Sequence, residues 1–190
     1  MAHVFDAKKM AKLADPRRRE FIPTEKILSI MNLVKGKKLL DLGCGIGYLT
    51  IPAAKAVGSE GFVFGLDIQE EMLVEALTRS RSQNLPQIAW VLSAPDYITL
   101  PTESVHYITM VMVAHEIPNL RKMLQECRRV LQPGGRIGIV EWNDTFTQIG
   151  PPLDHRLKAE DLSLLLQENG FKGMVVTDIS EAVYITTAIR

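Results

Sequence analysis

Residues 39–48 read LLDLGCGIGY, an apolar run that leads into glycines at alternate positions. Glycine lets the backbone turn sharply through positive φ angles and lets a ligand lie against bare main chain. A helix that begins near Tyr48 would add unpaired backbone N–H groups, which attract a carboxylate or a phosphate. The stretch therefore predicts a buried strand, a tight ligand-binding turn and a helix, in that order.

The spacing of these glycines separates two kinds of ligand. A dinucleotide-binding fingerprint needs the pattern G-x-G-x-x-G. Counted from Gly43, the third glycine position is occupied by Tyr48; counted from Gly45, it is occupied by Thr50. Both registers fail, which argues against a nicotinamide-dependent oxidoreductase. A nicotinamide-dependent oxidoreductase is nevertheless kept as the second hypothesis, behind the one developed below. The third hypothesis is a non-catalytic module that binds a cofactor or a partner protein.

Short runs rich in β-branched and apolar residues predict strands, and stretches with helical spacing lie between them. The strand-like runs are residues 38–42, 61–67, 88–93, 105–113, 135–142, 171–178 and 182–189. Strands that alternate with helices form a mostly parallel sheet. Only residues 179–181 join the last two runs, so the last strand must return as an antiparallel hairpin at or near the sheet edge. The predicted fold is α/β: a doubly wound, mostly parallel seven-stranded sheet with helices on both faces.

Apolar stripes at helical spacing predict helices that pack on this sheet. They comprise Met72, Leu73, Ala76 and Leu77; Leu120, Met123, Leu124, Cys127 and Leu131; and Leu162, Leu165 and Leu166. The third stripe ends in Asn169-Gly170, a typical helix C-terminus. Nearer the start of the chain, Pro23-Thr24 opens a helix with an apolar side of Ile27, Ile30, Met31 and Val34. We therefore expect an N-terminal helical cap of residues 1–35, not an independent domain, on a Rossmann-like domain of residues 36–190.

Composition excludes several classes of protein. The chain has 190 residues, with 22 Lys+Arg and 22 Asp+Glu, so its formal net charge is zero. This length fits one domain, and a neutral chain offers no broad surface for nucleic acid. The longest apolar runs, residues 88–92 and 110–114, are far shorter than the roughly 20 residues that span a bilayer. Two cysteines are too few for a disulfide framework, and the first ten residues lack a signal-peptide core, so we expect a cytoplasmic location.

Two further sequence features bear on which ligand the glycines of residues 43–47 bind. Asp67 ends the second predicted strand, 20 residues after Gly47, where a carboxylate can accept hydrogen bonds from both hydroxyls of a ribose. Residues 129–135 read RVLQPGG and lead into the fifth predicted strand. In this order, the three features resemble the class I S-adenosylmethionine-dependent methyltransferases over about residues 36–142. Within that family, the chain looks closest to the small-molecule branch that includes the ubiquinone and menaquinone C-methyltransferases.

The resemblance implies S-adenosylmethionine as the cofactor and S-adenosylhomocysteine as its product. The implied cofactor-binding positions are Asp41, Gly43, Gly45 and Gly47 beside the methionine half, Asp67 at the ribose, Ile68 against the adenine, and Val113 at the end of the fourth strand. In this family, an acidic residue after the third strand often reaches the adenine amino group. Alignment by Leu100-Pro101 puts Asp96 in that position, and alignment by Ile98 puts Ala94 there instead.

The resemblance also implies a small-molecule methyl acceptor near the ends of the fourth and fifth strands. In-line methyl transfer depends mainly on positioning, and it needs a general base only where the acceptor carries a proton. His115, Glu116 and Trp142 are therefore the predicted catalytic residues on the substrate side, with residues 154–156 as further candidates. Each has an alternative interpretation. His115 could be an ordinary loop histidine, Glu116 could stabilise the helix of residues 118–131 by its charge, and Trp142 could simply pack.

The remaining reactive side chains are interpreted as structural. We expect Cys44 to fill space between glycines and Cys127 to lie in the core. The arginines at positions 17–19 predict a solvated face, with contact to an acidic substrate as the alternative. The four histidines, at positions 3, 106, 115 and 155, show no metal-ligand spacing, so we expect no metal.

The acceptor pocket of so short a chain must come from the cap, from residues 143–158, or from a second subunit of a homo-oligomer. Four apolar residues favour an apolar or aromatic acceptor: Phe5, Phe21, Ile22 and Trp142. Residues 114–118 read AHEIP and lack the Asp/Asn-Pro-Pro-Tyr/Phe motif of nucleic-acid and amine N-methyltransferases. Neutral charge also gives weak steering of phosphates, so we expect neither a nucleic-acid partner nor a membrane span.

Overall fold

The computed structural model describes residues 7–145 and 150–190, in which strands alternate with helices along the chain. The strands are β1 (Lys38–Leu42), β2 (Phe62–Asp67), β3 (Ile88–Leu92), β4 (Val105–Val111), β5 (Leu131–Trp142), β6 (Lys172–Asp178) and β7 (Val183–Ile189). The α-helices are α1 (Arg18–Phe21), α2 (Thr24–Ile30), α3 (Thr50–Val57), α4 (Glu70–Arg81), α5 (Leu120–Val130) and α6 (Ala159–Glu168). Short 3-10 segments cover Ala7–Ala14, Ala114–Glu116 and Leu153–His155.

The strands form one seven-stranded sheet in the order β3-β2-β1-β4-β5-β7-β6. β1 pairs in parallel with both β2 and β4, whereas β7 runs antiparallel between β5 and β6. From β1 the chain first builds toward one edge and then returns to β4, so the order of the strands reverses between β1 and β4. Ligands of such sheets bind at the carboxyl ends of the strands beside this reversal. The predicted doubly wound, mostly parallel sheet with its antiparallel hairpin is confirmed.

Two predicted strand boundaries are wrong for identifiable reasons. β4 stops at Val111 rather than at 113, because Met112 has a φ of 60°, a left-handed conformation that a strand cannot continue through. β5 begins at Leu131 rather than at 135, because the β4–β5 register shifts between Val105 and Tyr107 and lets the glycine-rich start of β5 bulge out. The other strand ends agree with the sequence to within one residue.

Both faces of the sheet are apolar and covered by helices. Leu39 and Leu40 are adjacent in β1, point to opposite faces and are both 0% exposed. Leu39 packs in a buried cluster with residues of α2 and α3, and Leu40 packs in another with residues of α5 and α6. Strands buried on both faces read as continuous apolar runs, which explains why the strands were recognisable in the sequence.

The three predicted apolar stripes fall on α4, α5 and α6. Their buried residues are Met72, Leu73 and Ala76; Met123, Leu124 and Cys127; and Leu162 and Leu166. Two assignments are corrected, since Leu77 is 37% exposed and Leu131 is already the first residue of β5. α6 ends where predicted, with Asn169 as its C-cap and Gly170 at a φ of 81°.

The helix predicted after Pro23 is present as α2, and it packs on the sheet. Ile27 and Met31 are 0% exposed and belong to the same buried cluster as Leu39. The ammonium group of Lys26 donates a hydrogen bond of 2.7 Å to the carbonyl of Ile179. Residues before β1 therefore contribute to the core of the sheet.

Val34 lies outside the apolar side that the sequence predicts for this helix. α2 ends at Ile30, and Asn32 then turns the chain with a φ of 52°, so helical spacing no longer applies at position 34. The side chain of Val34 is 48% exposed as a result.

Replacing Ile27 with alanine should lower the free energy of unfolding by about 2–5 kcal/mol, because the change leaves a cavity between α2 and the sheet. Val34→Ala, on the exposed turn, should change it by less than about 0.5 kcal/mol. Urea denaturation followed by circular dichroism measures both values. Equal effects of the two substitutions would show that α2 does not contribute to the core.

Candidate functional site

A large cavity lies at the carboxyl ends of β1, β2, β4 and β5, and the described residues enclose a volume of about 1820 Å³. Its floor is the turn of residues 43–47, which we call the glycine turn. Side chains between positions 12 and 22 cover it, and residues 150–157 form one wall. A single small ligand commonly occupies about 300–1000 Å³, so this cavity has room for two ligands side by side.

The glycine turn is fastened to the end of β2. The backbone N–H groups of Gly43 and Cys44 both donate to the carbonyl of Leu66, at 2.8 and 2.9 Å. Gly43, Gly45 and Gly47 have φ angles of 69°, 53° and 80°. Residues with side chains rarely adopt such angles, so the turn requires glycine at all three positions.

The three glycines face different surroundings. A side-chain carbon on Gly45, which lines the cavity, would make one ordinary van der Waals contact, at 3.6 Å with the side chain of Leu13. On Gly43 it would collide with the side chain of Val113 at 2.5 Å, and both residues line the cavity. On Gly47 it would meet the ring of Trp90 at 2.8 Å. Gly47 is therefore required by packing against β3, and it is not among the cavity-lining residues.

Asp67 stands at the cavity end of β2 and holds the glycine turn. Its carboxylate accepts hydrogen bonds from the backbone N–H groups of Gly45, at 2.8 Å, and Gln69, at 3.0 Å. Burial raises the pKa of Asp67, and these two hydrogen bonds act in the opposite direction. Each carboxylate oxygen has two lone pairs, so both oxygens can still accept a further hydrogen bond from a ligand in the cavity.

Asp41 lies deeper, at the end of β1. It is 2% exposed, and its carboxylate accepts hydrogen bonds from the hydroxyls of Thr50, at 2.6 Å, and Thr109, at 2.8 Å. Burial raises the pKa of Asp41 to about 6, although the two threonine hydroxyls partly oppose this shift. Burial also raises the pKa of the Cys44 thiol, which agrees with its predicted role in packing rather than in nucleophilic chemistry.

Of the positions predicted beside the adenine, Ile68 and Ala94 line the cavity, and Ile68 is 42% exposed. Asp96 is not among the lining residues. Its side chain is 56% exposed and forms an ion pair of 2.5 Å with Lys122 of α5, which lowers the pKa of Asp96. This pairing directs Asp96 to α5, so Ala94 lies in the cavity wall and Asp96 lies outside it.

His115 is held by a buried carboxylate. Its ring Nδ1 lies 2.7 Å from Glu141 Oε2, and its backbone N–H donates to Glu141 Oε1 at 3.2 Å. Glu141 is 1% exposed, so it is fixed in place, and a carboxylate at Nδ1 favours the tautomer whose Nε2 can accept a proton. Burial acts to lower the pKa of His115, but Glu141 and the charge of Glu116 outweigh it, and the pKa is raised.

Glu141 was not recognised from the sequence, although a signal exists. Glu141 follows the run of residues 137–140 and precedes Trp142, so in the sequence it reads as the polar member of an alternating strand. A buried carboxylate needs a partner, because leaving it unpaired costs several kcal/mol or more. A charged residue inside a strand predicted to be buried is therefore a reason to search for a histidine or an arginine beside it.

Trp142 ends β5 and lines the cavity together with Arg156. The guanidinium carbon of Arg156 lies 5.9 Å from the centre of the Trp142 ring. Arg156 also donates to the carbonyls of Pro151, at 2.9 Å, and Asn143, at 2.6 Å, and so ties the two ends of the loop together. Residues 146–149 of this loop lie outside the described part of the chain.

The other substrate-side candidates divide between the wall and the rim. Glu116 lines the cavity, and the capping hydrogen bond of α5 comes from Asn119, whose side chain accepts from the backbone N–H of Lys122 at 3.0 Å. Asp154 and His155 lie at the rim, with side chains 79% and 60% exposed.

The three consecutive arginines do not share one environment. Arg17 is 80% exposed on its side chain and pairs with Asp15 at 2.6 Å, and Arg19 is also exposed. Arg18 is half-buried, lies over the ring of Tyr48 and lines the cavity. The predicted solvated face is therefore wrong for Arg18.

Phe21, Ile22 and Trp142 line the cavity, whereas Phe5 and His3 fall outside the described residues. Within residues 7–145 and 150–190, no group of three or more His, Cys, Asp or Glu side chains could hold a metal ion. No helix in these same ranges combines the length and the apolarity that crossing a bilayer requires.

A model of the ubiE/COQ5 methyltransferase family matches residues 18–152. The chain belongs to this family. The match includes α1 and α2 as well as the glycine turn, Asp67 and Glu141, so it extends beyond the resemblance of residues 36–142 that the sequence motifs carry.

Named relatives agree with this membership. A demethylmenaquinone methyltransferase from Geobacillus stearothermophilus is 34% identical over 118 residues, which cover 62% of this chain and 50% of the relative. One from Lactobacillus johnsonii is 30% identical, covering 82% of this chain and 76% of the relative. The crystal structure of an S-adenosylmethionine-dependent methyltransferase from Aquifex aeolicus has a TM-score of 0.94 and 30% identity, and the match covers 98% of this chain and 99% of that one. The chain spans about half the length of several of the curated relatives it matches.

The raised pKa of Asp41 predicts a pH-dependent stability for this ubiE/COQ5 family member. With a pKa of about 6 in the fold and a reference value of 3.8, the group stabilises the fold fully below about pH 4, and this contribution is lost as the pH rises through 6. Asp41→Asn removes this titration. Between pH 4 and pH 8, the free energy of unfolding of the variant should therefore rise by about 3 kcal/mol relative to that of the unmodified protein.

Urea denaturation at several pH values measures this difference. Asp96→Asn is the matched control, because the pKa of Asp96 is lowered and its side chain is exposed, so it should not reproduce the gain. A difference between Asp41→Asn and the unmodified protein that stays constant with pH would contradict the assignment.

Proposed function

We propose that this chain transfers the methyl group of S-adenosylmethionine to a small apolar acceptor of the quinol type. The observation that carries the proposal is the bare backbone of Gly45 beside the carboxylate of Asp67, on the floor of a cavity large enough for a second ligand. Family membership supports the methyl donor, and the relatives named demethylmenaquinone methyltransferases support the acceptor class.

The residues of the cavity floor fit the donor. Gly43 and Gly45 offer bare backbone to its amino-acid tail, and Asp67 retains lone pairs for two ribose hydroxyls. Ile68 and Ala94 supply apolar surface for the adenine, and Val113 closes the floor against the glycine turn. Asp41 shapes this floor through its threonine partners, and Gly47 shapes it through its contact with Trp90.

The remainder of the cavity fits an apolar acceptor. Its wall includes apolar side chains from four parts of the chain: Phe21, Ile117, Leu120, Met123, Trp142, Leu157 and Leu165. Residues 1–35 are proposed to act as a cap on the domain of residues 36–190, and both the cap and the loop after β5 supply walls. A ring that packs among these side chains would present its ionisable group to His115.

His115 is the proposed proton acceptor. When bound, S-adenosylmethionine supplies an electrophilic methyl group on its sulfonium. The acceptor loses the proton of its hydroxyl or activated carbon to Nε2 of His115 as the methyl group arrives. Glu141 holds the opposite nitrogen and stabilises the positive charge that the ring gains. Trp142 and the cap keep water from the acceptor, because apolar walls offer it no hydrogen bonds.

Calorimetric titration with S-adenosylhomocysteine should show saturable binding well below 1 mM, and Asp67→Asn should weaken it about 10- to 100-fold by removing a charged acceptor of hydrogen bonds. Asp96→Asn should leave the affinity unchanged. A parallel titration with NAD tests the oxidoreductase alternative. Binding of NAD but not of S-adenosylhomocysteine would overturn the proposal, and binding without turnover on any quinol or phenol would favour the non-catalytic module.

His115→Asn should lower kcat about 10²- to 10⁴-fold and leave the affinity for S-adenosylhomocysteine unchanged, because the base acts on the acceptor. Glu141→Gln should lower the pKa of His115, since the carboxylate raises it, and should move the acidic limb of the rate profile to lower pH. Nuclear magnetic resonance titration of His115 measures this pKa without turnover.

Glu116→Gln is the matched control for the buried carboxylate, because Glu116 Oε1 lies 3.9 Å from His115 Nε2 and shifts the same pKa less than Glu141 does. Glu116→Gln should lower the pKa of His115 as well, but by less than Glu141→Gln does. Identical pH profiles for Glu141→Gln and the unmodified enzyme would show that His115 is not the group whose proton limits the rate.

A further inference from the structure

Arg18 is placed unlike its neighbours. Its guanidinium carbon lies 4.2 Å from the centre of the Tyr48 ring, which is a cation–π distance. Tyr48 follows the glycine turn directly, and its hydroxyl donates to the carbonyl of Ile22 at 2.6 Å. The ring is therefore fixed between the turn and the cap, and it holds the Arg18 cation at the glycine end of the cavity.

The guanidinium of Arg18 has almost none of its hydrogen-bonding capacity in use. It donates one long hydrogen bond, 3.5 Å, to the carbonyl of Leu13, and it forms no ion pair with any residue in the described ranges. A guanidinium carries five N–H donors in a planar fork that matches a carboxylate. The adjacent acid, Asp15, pairs with Arg17 instead. A half-buried cation without an anion is therefore available to a ligand in the cavity.

The surroundings of Arg18 select the kind of anion. Gly45 lines the same cavity as Arg18, and the negative charge of Asp41, another lining residue, acts on Arg18. A ligand group that fits between a guanidinium and a buried carboxylate carries both a negative and a positive charge. The zwitterionic end of an α-amino acid has this character, whereas an acceptor that is only anionic would be repelled by Asp41.

We propose that Arg18, oriented by Tyr48, binds the carboxylate of the amino-acid tail of S-adenosylmethionine. The inference rests on the proposed function, because it takes the donor to lie on the glycine turn. It gives the cap a role in holding the donor, since Arg18 comes from α1, ahead of the sheet.

The test compares two donors that differ only in this carboxylate: S-adenosylmethionine and its decarboxylated form, which keeps the sulfonium and the amine. The protein should bind the carboxylated form more tightly. Arg18→Gln should weaken that binding about 10- to 100-fold and change binding of the decarboxylated form by less than about threefold, because a charge-assisted pair is lost only with the first. Calorimetry measures all four affinities without turnover.

Arg19→Gln is the matched control, since Arg19 is adjacent and exposed and is not among the cavity-lining residues, and it should alter neither affinity. Arg18→Lys keeps the charge without the planar fork and should fall between the unmodified protein and Arg18→Gln. Thermal unfolding of each variant shows that it is folded.

The outcomes separate this inference from the proposed function. If the unmodified protein binds neither donor, both are overturned. If it binds S-adenosylmethionine but Arg18→Gln weakens both donors equally, or neither, the role of Arg18 is overturned and the donor site stands. An unchanged donor affinity with a raised KM for the acceptor would move Arg18 to the acceptor side and also overturn the inference.

Discussion

The attachment of the glycine turn to the end of β2 fixes the geometry of the whole site. One carbonyl, that of Leu66, receives the N–H groups of both Gly43 and Cys44, and Asp67 receives that of Gly45. Because these bonds use backbone groups at consecutive positions, the turn cannot slide along the strand without losing all three. α3 starts directly after this turn, so its position on the sheet follows from the same contact. The floor of the cavity, which Gly43 and Gly45 line, therefore keeps its shape only while the turn keeps this path.

Three buried carboxylates lie near the carboxyl ends of β1, β2 and β5, and each is stabilised by a different kind of hydrogen-bond donor. Asp67 is satisfied by backbone N–H groups, Asp41 by two threonine hydroxyls, and Glu141 by His115. Backbone donors leave lone pairs turned to the cavity, whereas neutral hydroxyls compensate burial only in part and leave the pKa of Asp41 at about 6. His115 can itself take up a proton, so Glu141 is the only one of these three carboxylates whose partner is titratable. Residues of one chemical type thus take three roles because of what lies opposite them.

Local pattern was enough to predict the sheet, the glycine turn and Asp67, because each depends on residues that are close in the chain or on strand periodicity. Contacts between distant segments were not predictable in this way. Gly47 is a glycine because of Trp90, which lies on β3, and Asp96 is drawn out of the cavity wall by α5. His115 was named from its place after a strand, but its partner lies 26 residues further on, in a strand that read as ordinary apolar sequence. Register between neighbouring strands decides that pairing, and periodicity alone does not give register.

One half of the cavity is lined mainly by backbone groups and the other by side chains, and this difference affects which ligand each half can bind. The half proposed for the donor consists mainly of backbone at the ends of β1 and β2, whose hydrogen-bonding groups are fixed by the fold. The half proposed for the acceptor consists of side chains from α1, from residues 117–123, from the end of β5 and the loop after it, and from α6. Its wall is mostly apolar, and Arg156 in that loop donates to two carbonyls. Since the acidic and basic groups beside His115 are already paired or engaged with it, a highly charged acceptor would find little compensation for its lost water. A flat apolar ring with one ionisable group needs little such compensation, and this is the physical reason for proposing that class of acceptor rather than a charged peptide or a phosphate ester.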